Sequence, residues 1–364
     1  MDSSDLVRIL VINPGSTTTK IAIYENSICI YLKTIHHSVD DLSSYQSITD
    51  QFVFRKNCIM QQLSNEGFSM EDINVVIGRG GLTYPLESGV YLVNELMVKH
   101  CREGVMGIHA SNLGSMIAFD LSKEHAGMIP LIADPVVVDE MDGIARVSGH
   151  PMFTRRSIFH ALNQKAVARQ HAMKVGQPYE DLDLIVVHLG GGISIGVHQH
   201  GRVIDVNNAL DGEGPFSPER SGSLPVGDLV KLCFSGQHTY QEIMSMISGN
   251  GGYVAYLGTN DAREVEIAVK KGDEKATFYH EAMAYQISKY IGEMATVLKG
   301  RIDGILITGG IAFDRRLMSL IRERVEFIAP VSVYAGQDEL KALAMNALMV
   351  ARGEVEPREY DRTE

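Results

Sequence analysis

The chain has few of the residues that mark disulfide-rich, zinc-binding or nucleic-acid-binding proteins. It contains no tryptophan and only four cysteines, which form no C-x-x-C pair and have no histidine at zinc-ligand spacing. The net charge of −12 argues against a general nucleic-acid binder, because such binding rests on Lys and Arg that neutralise phosphates. We therefore expect reduced thiols, no zinc site and no nucleic-acid partner.

Long hydrophobic runs and the commonest nucleotide-binding fingerprints are also missing. No apolar run has the length needed to span a bilayer. The acidic start, Met1–Asp5, is followed by only a short apolar stretch, unlike a signal peptide. These absences predict a cytoplasmic protein with no membrane partner. Neither the P-loop pattern nor a strict G-x-G-x-x-G is present.

A strand–turn–strand pattern occurs twice, about half the chain length apart. An apolar strand, a turn of small residues and a second strand occupy residues 8–24, and the same order returns at 183–198. Chance recurrence of a common hairpin is one explanation. Two domains with the same opening explain the pattern more economically, and a chain of 364 residues favours two domains of ordinary size.

Three small-residue turns each follow directly on an apolar strand, at residues 13–19, 188–194 and 308–312. Small residues let backbone N–H groups approach phosphate oxygens, and hydroxyl groups add further donors. One such turn means little, since tight turns need glycine anyway, but three favour a nucleotide site. Strands that alternate with helical patterns, such as the helix predicted over 276–298, indicate an α/β fold.

Motifs at these turns and between them form an ordered set along the chain. The first is Asn13-Pro-Gly-Ser-Thr-Thr-Thr-Lys20 and the second is His188-Leu-Gly-Gly-Gly-Ile-Ser194. The shorter ones are Gly78–Gly81, Ile108–His109, Asp134, Phe159–His160, Glu219–Gly222, Gly309–Gly310 and Gln337–Leu340. The set resembles that of the acetate kinase and butyrate kinase family, whose opening is N-x-G-S-S-S-x-K. No single motif is decisive, but the ordered set is highly specific.

The resemblance implies a fold and a domain organisation. The family belongs to the actin, sugar kinase and Hsp70 superfamily, so two duplicated actin-like (ribonuclease H-like) ATPase domains with a cleft between them are expected. The N-terminal domain, 1–150, would bind the acyl group and be completed by a C-terminal helix at 338–364. The C-terminal domain, 151–337, would bind the nucleotide. A homo-oligomer, a dimer or a larger even assembly, is also implied.

The reaction implied is direct, reversible transfer of the γ-phosphoryl group of ATP to the carboxylate of a short-chain fatty acid. Both reactants are anions and a carboxylate needs no general base, so catalysis is mostly positioning and charge neutralisation. A guanidinium grips an anion with two parallel hydrogen bonds. By resemblance, Arg79 would hold the acyl carboxylate, whereas Arg220 and His160 would contact the transferring phosphoryl group. Taken without the family, each arginine also suits a surface ion pair.

The segment that begins at His160 departs from the acetate kinase pattern. Acetate kinases read H-G-T-S-H there, whereas this chain reads His160-Ala-Leu-Asn-Gln164. Gln164 therefore replaces the second family histidine, and the role of that position is open. Without the family context, a histidine after Phe159 is more often a structural residue than a ligand.

Further site residues are assigned by resemblance to ATP or ADP and to Mg²⁺. The expected nucleotide-binding residues are Asn13, Ser16, Thr18, Lys20, His188, Gly190, Gly191, Gly192, Gly309 and Gly310. Asp134 and Glu339 are the expected magnesium carboxylates, acting through waters, because Mg²⁺ prefers oxygen ligands and keeps several waters. Asp338 is an alternative ligand that equally suits the first turn of a helix. Lys20 also suits a solvated strand position.

Butyrate is the substrate that the motifs favour. Acetate kinases carry D-T-A-F-H after the strand-end acid, whereas this chain reads Asp134-Pro-Val-Val-Val-Asp-Glu-Met141. The acyl pocket is expected to include Ile108 and Phe159. Burying one methylene group contributes only about 0.8 kcal/mol, so isobutyrate, propionate and acetate remain open as substrates.

Two other function classes fit the same superfamily. A sugar kinase needs an acidic residue that takes a hydroxyl proton, and the sequence shows no clear candidate beside Arg79. A non-catalytic ATPase module that switches with its nucleotide needs no pair of arginines for an anion. Both features favour the carboxylate kinase.

Overall fold

The computed structural model describes residues 6–336 and 338–362, which pack into two compact units. Unit 1 ends at Val138 and takes up the chain again at Asp338, and unit 2 begins at Asp139. The sequence-based domain limit at 150 lies beyond this first boundary, and the domain assignment stays a prediction. No helix in these ranges is long and apolar enough to cross a membrane.

Unit 1 is a mixed sheet with helices packed on it. In chain order its elements are β1 (Arg8–Pro14), β2 (Thr18–Glu25), β3 (Ile28–His36), α1 (Val39–Ser43), α2 (Phe52–Asn65), β4 (Val75–Arg79), β5 (Val90–Leu92), α3 (Glu95–Glu103), α4 (Asn112–Glu124), β6 (Ile129–Ala133) and, near the end of the chain, α12 (Glu339–Ala351). The six-stranded sheet has the order β3-β2-β1-β4-β6-β5.

Unit 2 has the same kind of architecture. In chain order its elements are α5 (Ala161–Val175), β7 (Leu184–Leu189), β8 (Ile193–Gln199), β9 (Arg202–Val206), α6 (Val226–Cys233), α7 (Tyr240–Ile247), α8 (Gly252–Leu257), α9 (Ala262–Lys270), α10 (Glu274–Val297), β10 (Gly304–Gly309), α11 (Arg315–Val325) and β11 (Val331–Ala335). The five-stranded sheet has the order β11-β10-β7-β8-β9.

The two sheets repeat one topology. In unit 1, β1, β2 and β3 form an antiparallel meander, and β4 and β6 continue from β1 in parallel. In unit 2, β7, β8 and β9 form the same meander, and β10 and β11 continue from β7 in parallel. The α/β fold class and the duplication that the repeated strand–turn–strand pattern predicted are therefore confirmed.

Hydrophobic patterning explains the central elements of each unit. Residues 9–12 of β1 are fully buried, as expected for a strand that is covered on both faces. The helix predicted over 276–298 is α10, which begins after the N-cap Asp273. Its apolar positions Ile287, Ile291 and Met294 recur at helical spacing and lie in the core of unit 2.

Helix α4 packs against β4 without side chains between their backbones. An added Cβ at Gly78 would lie 2.2 Å from the carbonyl oxygen of Gly114, and one at Gly114 would lie 2.3 Å from that of Arg79. Both glycines are therefore required by the packing. This contact fixes the backbone of Arg79, the last residue of β4.

Arg55 holds the turn between β1 and β2. This α2 residue is fully buried and donates hydrogen bonds to the carbonyl oxygens of Gly15 (2.7 Å), Ser16 (2.7 Å) and Thr18 (3.0 Å). Burial lowers the pKa of Arg55, but a guanidinium stays charged in proteins. No carboxylate in the described part of the chain forms an ion pair with it, so a lone positive charge lies behind the turn.

We predict that Arg55→Met destabilises unit 1 by about 2 kcal/mol or more, because buried carbonyl groups lose their donors. The change should appear as a lower midpoint of chemical unfolding, followed by circular dichroism and tyrosine fluorescence. The exposed Arg102→Met on α3 is the matched control and should stay within about 0.5 kcal/mol. Equal midpoints for the two variants would contradict the role given to Arg55.

Candidate active site

Three predicted site residues meet in unit 1. The Asn13 side-chain amide donates to Glu339 Oε2 at 2.8 Å, and Arg79 Nη1 lies 3.2 Å from the same oxygen. Arg79 Nη1 is also 3.5 Å from Asn13 Oδ1. The side chains of Arg79 and Glu339 are 24% and 13% exposed, so this ion pair is shielded but open to a ligand at one side. The structure thus joins residues that lie far apart in the sequence.

Sheet register explains why these residues meet. β1 and β4 are parallel neighbours with Ile12 opposite Gly78. Asn13 and Arg79, the next residue of each strand, therefore lie side by side at the same edge of the sheet. The N-terminus of α12 reaches this edge with Glu339 as its first residue. Ligand sites of parallel α/β sheets form at the carboxyl ends of the strands, and this cluster lies at such an edge.

Asp134 follows β6 at the same edge of the sheet. Ala133, the residue before Asp134, lies opposite Arg79 in the parallel pair of β4 and β6. Asp134 is 2% exposed and has a positive φ of 39°, which is uncommon for a residue other than glycine. Its Oδ1 accepts hydrogen bonds from Ser88 Oγ (2.6 Å) and from the Gly89 N–H group (2.9 Å). These bonds hold the carboxylate in place.

The first small-residue turn carries Ser16, Thr18 and Lys20. Ser16 is exposed and Thr18 is half-buried, while their carbonyl groups are bound from behind by Arg55. Lys20 is exposed and lies opposite Asn13 in the antiparallel β1–β2 pair. Directly opposed residues of such a pair share one face of the sheet. The Lys20 side chain therefore belongs to the face that holds the Asn13 cluster.

The second small-residue turn, in unit 2, joins β7 and β8. His188 pairs with Ser194 across the two strands, and the Gly190 N–H group donates to the Gly192 carbonyl at 3.1 Å. The Ser217 hydroxyl donates to the Gly191 carbonyl from behind the turn. A Cβ at Gly190 would lie 2.9 Å from His188 Nε2, so this residue must stay small.

Arg220 lies directly against this turn. A Cβ at Gly192 would lie 1.9 Å from Arg220 Nη1, so the glycine makes room for the guanidinium. Nη1 donates to the Ala209 carbonyl at 2.6 Å, whereas the buried Nε has no hydrogen-bond partner among the described residues. Burial lowers the pKa of Arg220, which reflects a charge poorly solvated by water or protein. An anion at this position would supply the missing acceptors.

His160 lies beside His188. The two imidazole rings stack at a centroid distance of 3.8 Å with an angle of 11° between their planes. His160 Nδ1 is 2.9 Å from Ser194 Oγ, and His188 Nδ1 is 2.7 Å from the Asn163 side-chain oxygen. His160 is the N-cap residue of α5. The structure therefore brings His160, His188 and the glycine turn together in unit 2.

Gly309 is the last residue of β10 and Gly310 follows it, where the third small-residue turn was predicted. Gly309 has a φ of 94°, and a Cβ there would lie 2.2 Å from the Leu189 carbonyl oxygen. A side chain at Gly309 would thus collide first with the protein itself rather than with a bound adenosine. A Cβ at Gly310 would meet nothing within 4 Å, so only Gly310 borders open space.

The two residues predicted for the acyl pocket differ in exposure. Ile108, in unit 1, is 49% exposed and therefore available to a ligand. Phe159, in unit 2, is only 2% exposed, so it presents almost no surface in this conformation. The role of both residues in an acyl pocket stays a prediction.

The donor atoms suit a magnesium ion that keeps most of its waters. No group of three or more His, Cys, Asp or Glu residues is placed to hold a metal within the described ranges. Mg²⁺ commonly needs only one or two carboxylates together with substrate phosphates. Glu339 Oε1 forms no protein hydrogen bond there, whereas Oε2 is bound by Asn13 and Arg79. Asp338 caps α12 by accepting from the Lys341 N–H group, which supports its interpretation as a helix-start residue.

Sequence reasoning missed several residues of the site and one contact. Arg55 lies in a helix pattern that looks like a solvated face, and no local signal connects it with the β1–β2 turn. Ser194 contacts His160, and Gln164 contacts Ser194. Ser194 is the last residue of the second motif, but sequence reasoning assigned it no role of its own. The sequence showed no clear candidate for an acidic base beside Arg79, and it did not reveal that Glu339 forms an ion pair with this arginine.

Comparisons with known proteins extend over nearly the whole chain. The model of the acetokinase family matches residues 145–329. Butyrate kinase 1 of Clostridium acetobutylicum is 53% identical over 355 residues, which covers 98% of this chain and 100% of that protein.

Solved structures share the fold at much lower identity. The acetate kinase of Porphyromonas gingivalis gives a TM-score of 0.74 at 18% identity, covering 95% of this chain and 100% of that one. A propionate kinase from Francisella tularensis subsp. tularensis SCHU S4 gives 0.72 at 20% identity, covering 93% and 98%. The family predicted from the ordered motifs is thereby confirmed: this chain belongs to the acetokinase family.

Proposed function

We propose that this chain is a short-chain fatty acid kinase that transfers the γ-phosphoryl group of ATP to the carboxylate of butyrate. The observation that carries the proposal is 53% identity over nearly the full length to a protein named butyrate kinase. The geometry adds support, because each unit presents an arginine suited to an anion next to a turn of small residues.

The proposed reaction is a direct transfer in which the protein forms no covalent bond with either reactant. A carboxylate oxygen of butyrate forms a bond to the γ-phosphorus while the bond from that phosphorus to the bridging oxygen of ADP breaks. No proton has to move, because the acid is already deprotonated at neutral pH. The barrier lies in bringing anions together, so positive charge and fixed hydrogen-bond donors are the useful contributions.

Arg79 is proposed to hold the acyl carboxylate. Its guanidinium is fixed by Glu339 and Asn13 through one nitrogen, Nη1, and the remaining N–H groups stay available for a carboxylate. Glu339 makes a poor general base for a sugar hydroxyl, because Oε2 already accepts two hydrogen bonds and pairs with a cation. This arrangement favours the carboxylate kinase over a sugar kinase.

Arg220 and His160 are proposed to bind the transferring phosphoryl group. Arg220 has an unpartnered Nε and lies against Gly192, so an incoming phosphate oxygen would meet a charge with unmet donor capacity. His160 lies beside the same turn through its stacking on His188. Within unit 2, the turn glycines 190–192 and Gly310 are proposed to bind the nucleotide. Within unit 1, Ser16, Thr18 and Lys20 of the first turn are proposed as phosphate-binding residues.

Magnesium is proposed to neutralise charge on the phosphates, with Asp134 and Glu339 holding it through waters. The hydrogen bonds from Ser88 and Gly89 keep Asp134 oriented. Glu339 Oε1 forms no hydrogen bond among the described residues and can accept one from a metal-bound water. A homo-oligomer and a cytoplasmic location remain expectations that follow from the family and the composition.

The first prediction of this proposal concerns the substrate. With ATP, magnesium and hydroxylamine, the chain should form acyl hydroxamates from a series of acids, with the largest kcat/KM at butyrate or isobutyrate. Removing one methylene group from the acid should lower kcat/KM by about 10- to 200-fold, because an apolar pocket discriminates only weakly between chain lengths. Slow ATP hydrolysis with no hydroxamate from any acid would support the ATPase-module alternative instead.

The second prediction concerns the arginines. Arg79→Gln keeps a donor toward Glu339 but loses the charge, and should lower kcat/KM for butyrate by about 100-fold or more. Arg220→Lys keeps the charge but loses the planar fork, and should lower kcat by about tenfold or more. Exposed Arg102→Gln serves as the control and should behave as the unmodified chain. Near-normal kinetics in either site variant would remove that residue from the proposed site.

The third prediction concerns the metal. Excess chelator should abolish hydroxamate formation, and added Mg²⁺ should restore it. Glu339→Gln should raise the Mg²⁺ concentration needed for half-maximal rate by about tenfold or more, because carboxylates that bind the waters of a metal ion add that much to its affinity. Surface Glu354→Gln should leave that concentration unchanged. Full rate in chelator would contradict the metal requirement.

A further inference from the structure

Gln164 is fully buried in the first turns of α5. Its amide nitrogen lies 2.8 Å from Ser194 Oγ and 3.1 Å from the Ser194 carbonyl oxygen. Its amide oxygen lies 3.0 Å from His198 Nε2. A Cβ at Gly196 would lie 2.4 Å from that oxygen, so β8 carries a glycine where it must leave room for the glutamine.

The hydrogen bonds of Gln164 have a fixed direction. A carbonyl oxygen only accepts hydrogen bonds, so the group facing the Ser194 carbonyl has to be the amide N–H. The amide oxygen then accepts from His198 Nε2–H. His198 Nδ1 in turn accepts from the Tyr179 hydroxyl at 2.7 Å. The amide nitrogen uses its two hydrogens for the two oxygens of Ser194, and none of the bonds in this series can be reversed alone.

The charge state of His198 agrees with this direction. Burial holds the pKa of His198 well below the ordinary value, and the nearby cations Lys165 and Arg169 lower it further. A neutral imidazole has one donor nitrogen and one acceptor nitrogen. His198 therefore satisfies both neighbours only as the tautomer that carries its proton on Nε2.

The direction continues through Ser194 to His160. Ser194 Oγ accepts from the Gln164 amide and, more weakly, from the His160 backbone N–H group at 3.4 Å. The hydroxyl proton then needs an acceptor, and among the described partners of Ser194 only His160 Nδ1, at 2.9 Å, can accept. His160 Nδ1 consequently carries no proton, and a neutral His160 carries it on Nε2.

We propose that Gln164 and Ser194 are positioning residues that hold His160 in the tautomer with its proton on Nε2, so that this nitrogen donates to the transferring phosphoryl group. The inference rests on the proposed function for its use, though not for its geometry. The His160 proton stays on the ring throughout the reaction. Stacking on His188 limits rotation of the ring, so that tautomer and orientation are set together before ATP arrives.

The tautomer can be measured directly in the full-length protein. Histidine labelled with ¹⁵N gives distinct resonances for protonated and unprotonated ring nitrogens, and a His160→Gln variant identifies the His160 signals. We expect Nδ1 at the unprotonated position and Nε2 at the protonated position at neutral pH. Protonated Nδ1 in the unmodified chain would overturn the proposal, whatever the enzyme's activity.

Gln164→Glu should invert the series with little change of shape. A carboxylate cannot donate to Ser194, so the serine hydroxyl should turn toward it and His160 Nδ1 should become the donor. The Nδ1 resonance should then move to the protonated position, and kcat should fall by about 100- to 1,000-fold, the scale for losing one donor to transition-state charge. The KM values for butyrate and ATP should change by less than about threefold, since the tautomer matters most when charge develops.

Ser194→Ala and Gln241→Glu complete the test. Ser194→Ala removes the donor to Nδ1 without adding charge, and should give a mixture of His160 tautomers with a smaller loss of kcat. Gln241→Glu, on the exposed side of α7, controls for the added charge and should change neither signal nor rate. An unchanged His160 tautomer in folded Gln164→Glu would overturn the proposal. If Gln164→Glu does not fold, the unmodified chain and Ser194→Ala decide.

The measurements separate this inference from the proposed function. Failure to form any acyl hydroxamate would refute the carboxylate kinase and leave the tautomer signals as the test of the hydrogen-bond series. If the His160 tautomer changes as expected in Gln164→Glu and Ser194→Ala but kcat stays the same, the tautomer has no role in catalysis and that part of the proposal is refuted. Loss of kcat together with the tautomer shift supports both.

Discussion

Hydrogen bonds to carbonyl groups hold the small-residue turn of each unit from behind. Arg55 binds the carbonyls of Gly15, Ser16 and Thr18, and Ser217 binds the Gly191 carbonyl. A turn of glycine, serine and threonine has little packing of its own and much conformational freedom to lose. Fixing its carbonyls settles the orientation of its peptide groups.

The two units reach this arrangement with different chemistry on the same topology. In unit 1 the supporting group is a permanent cation that no carboxylate of the described residues pairs with, which favours an anion near the turn. In unit 2 the supporting group is a neutral hydroxyl, and the cation is Arg220, which lies against the turn itself. Charge therefore stands behind the turn in one repeat and beside it in the other. A duplicated fold can in this way supply two unlike binding surfaces.

Local sequence patterns predicted the parts of the structure that depend on local rules. The repeated strands were predictable because strands buried on both faces read as continuous apolar runs, and α10 because its apolar residues recur at helical spacing. Arg55 was not predictable, because its partners lie 37 to 40 residues earlier in the chain and an arginine in a helix normally faces water. The contact between Glu339 and Arg79 escaped for the same reason. The close approach of Gly309 to the Leu189 carbonyl could not be predicted either, because it joins two strands far apart in the chain.

The contribution of α12 to unit 1 has a consequence for synthesis on the ribosome. Glu339 binds Asn13 across 326 residues and Arg79 across 260, and buried residues such as Leu343 and Ala347 pack α12 on the sheet made first. Until α12 emerges, the nascent chain therefore carries a sheet with an uncovered apolar face, while unit 2 can already form around its own core. Unit 1, whose strands are translated first, is completed only when α12 has been made. A chain that terminated before α12 would therefore expose this apolar face to other chains.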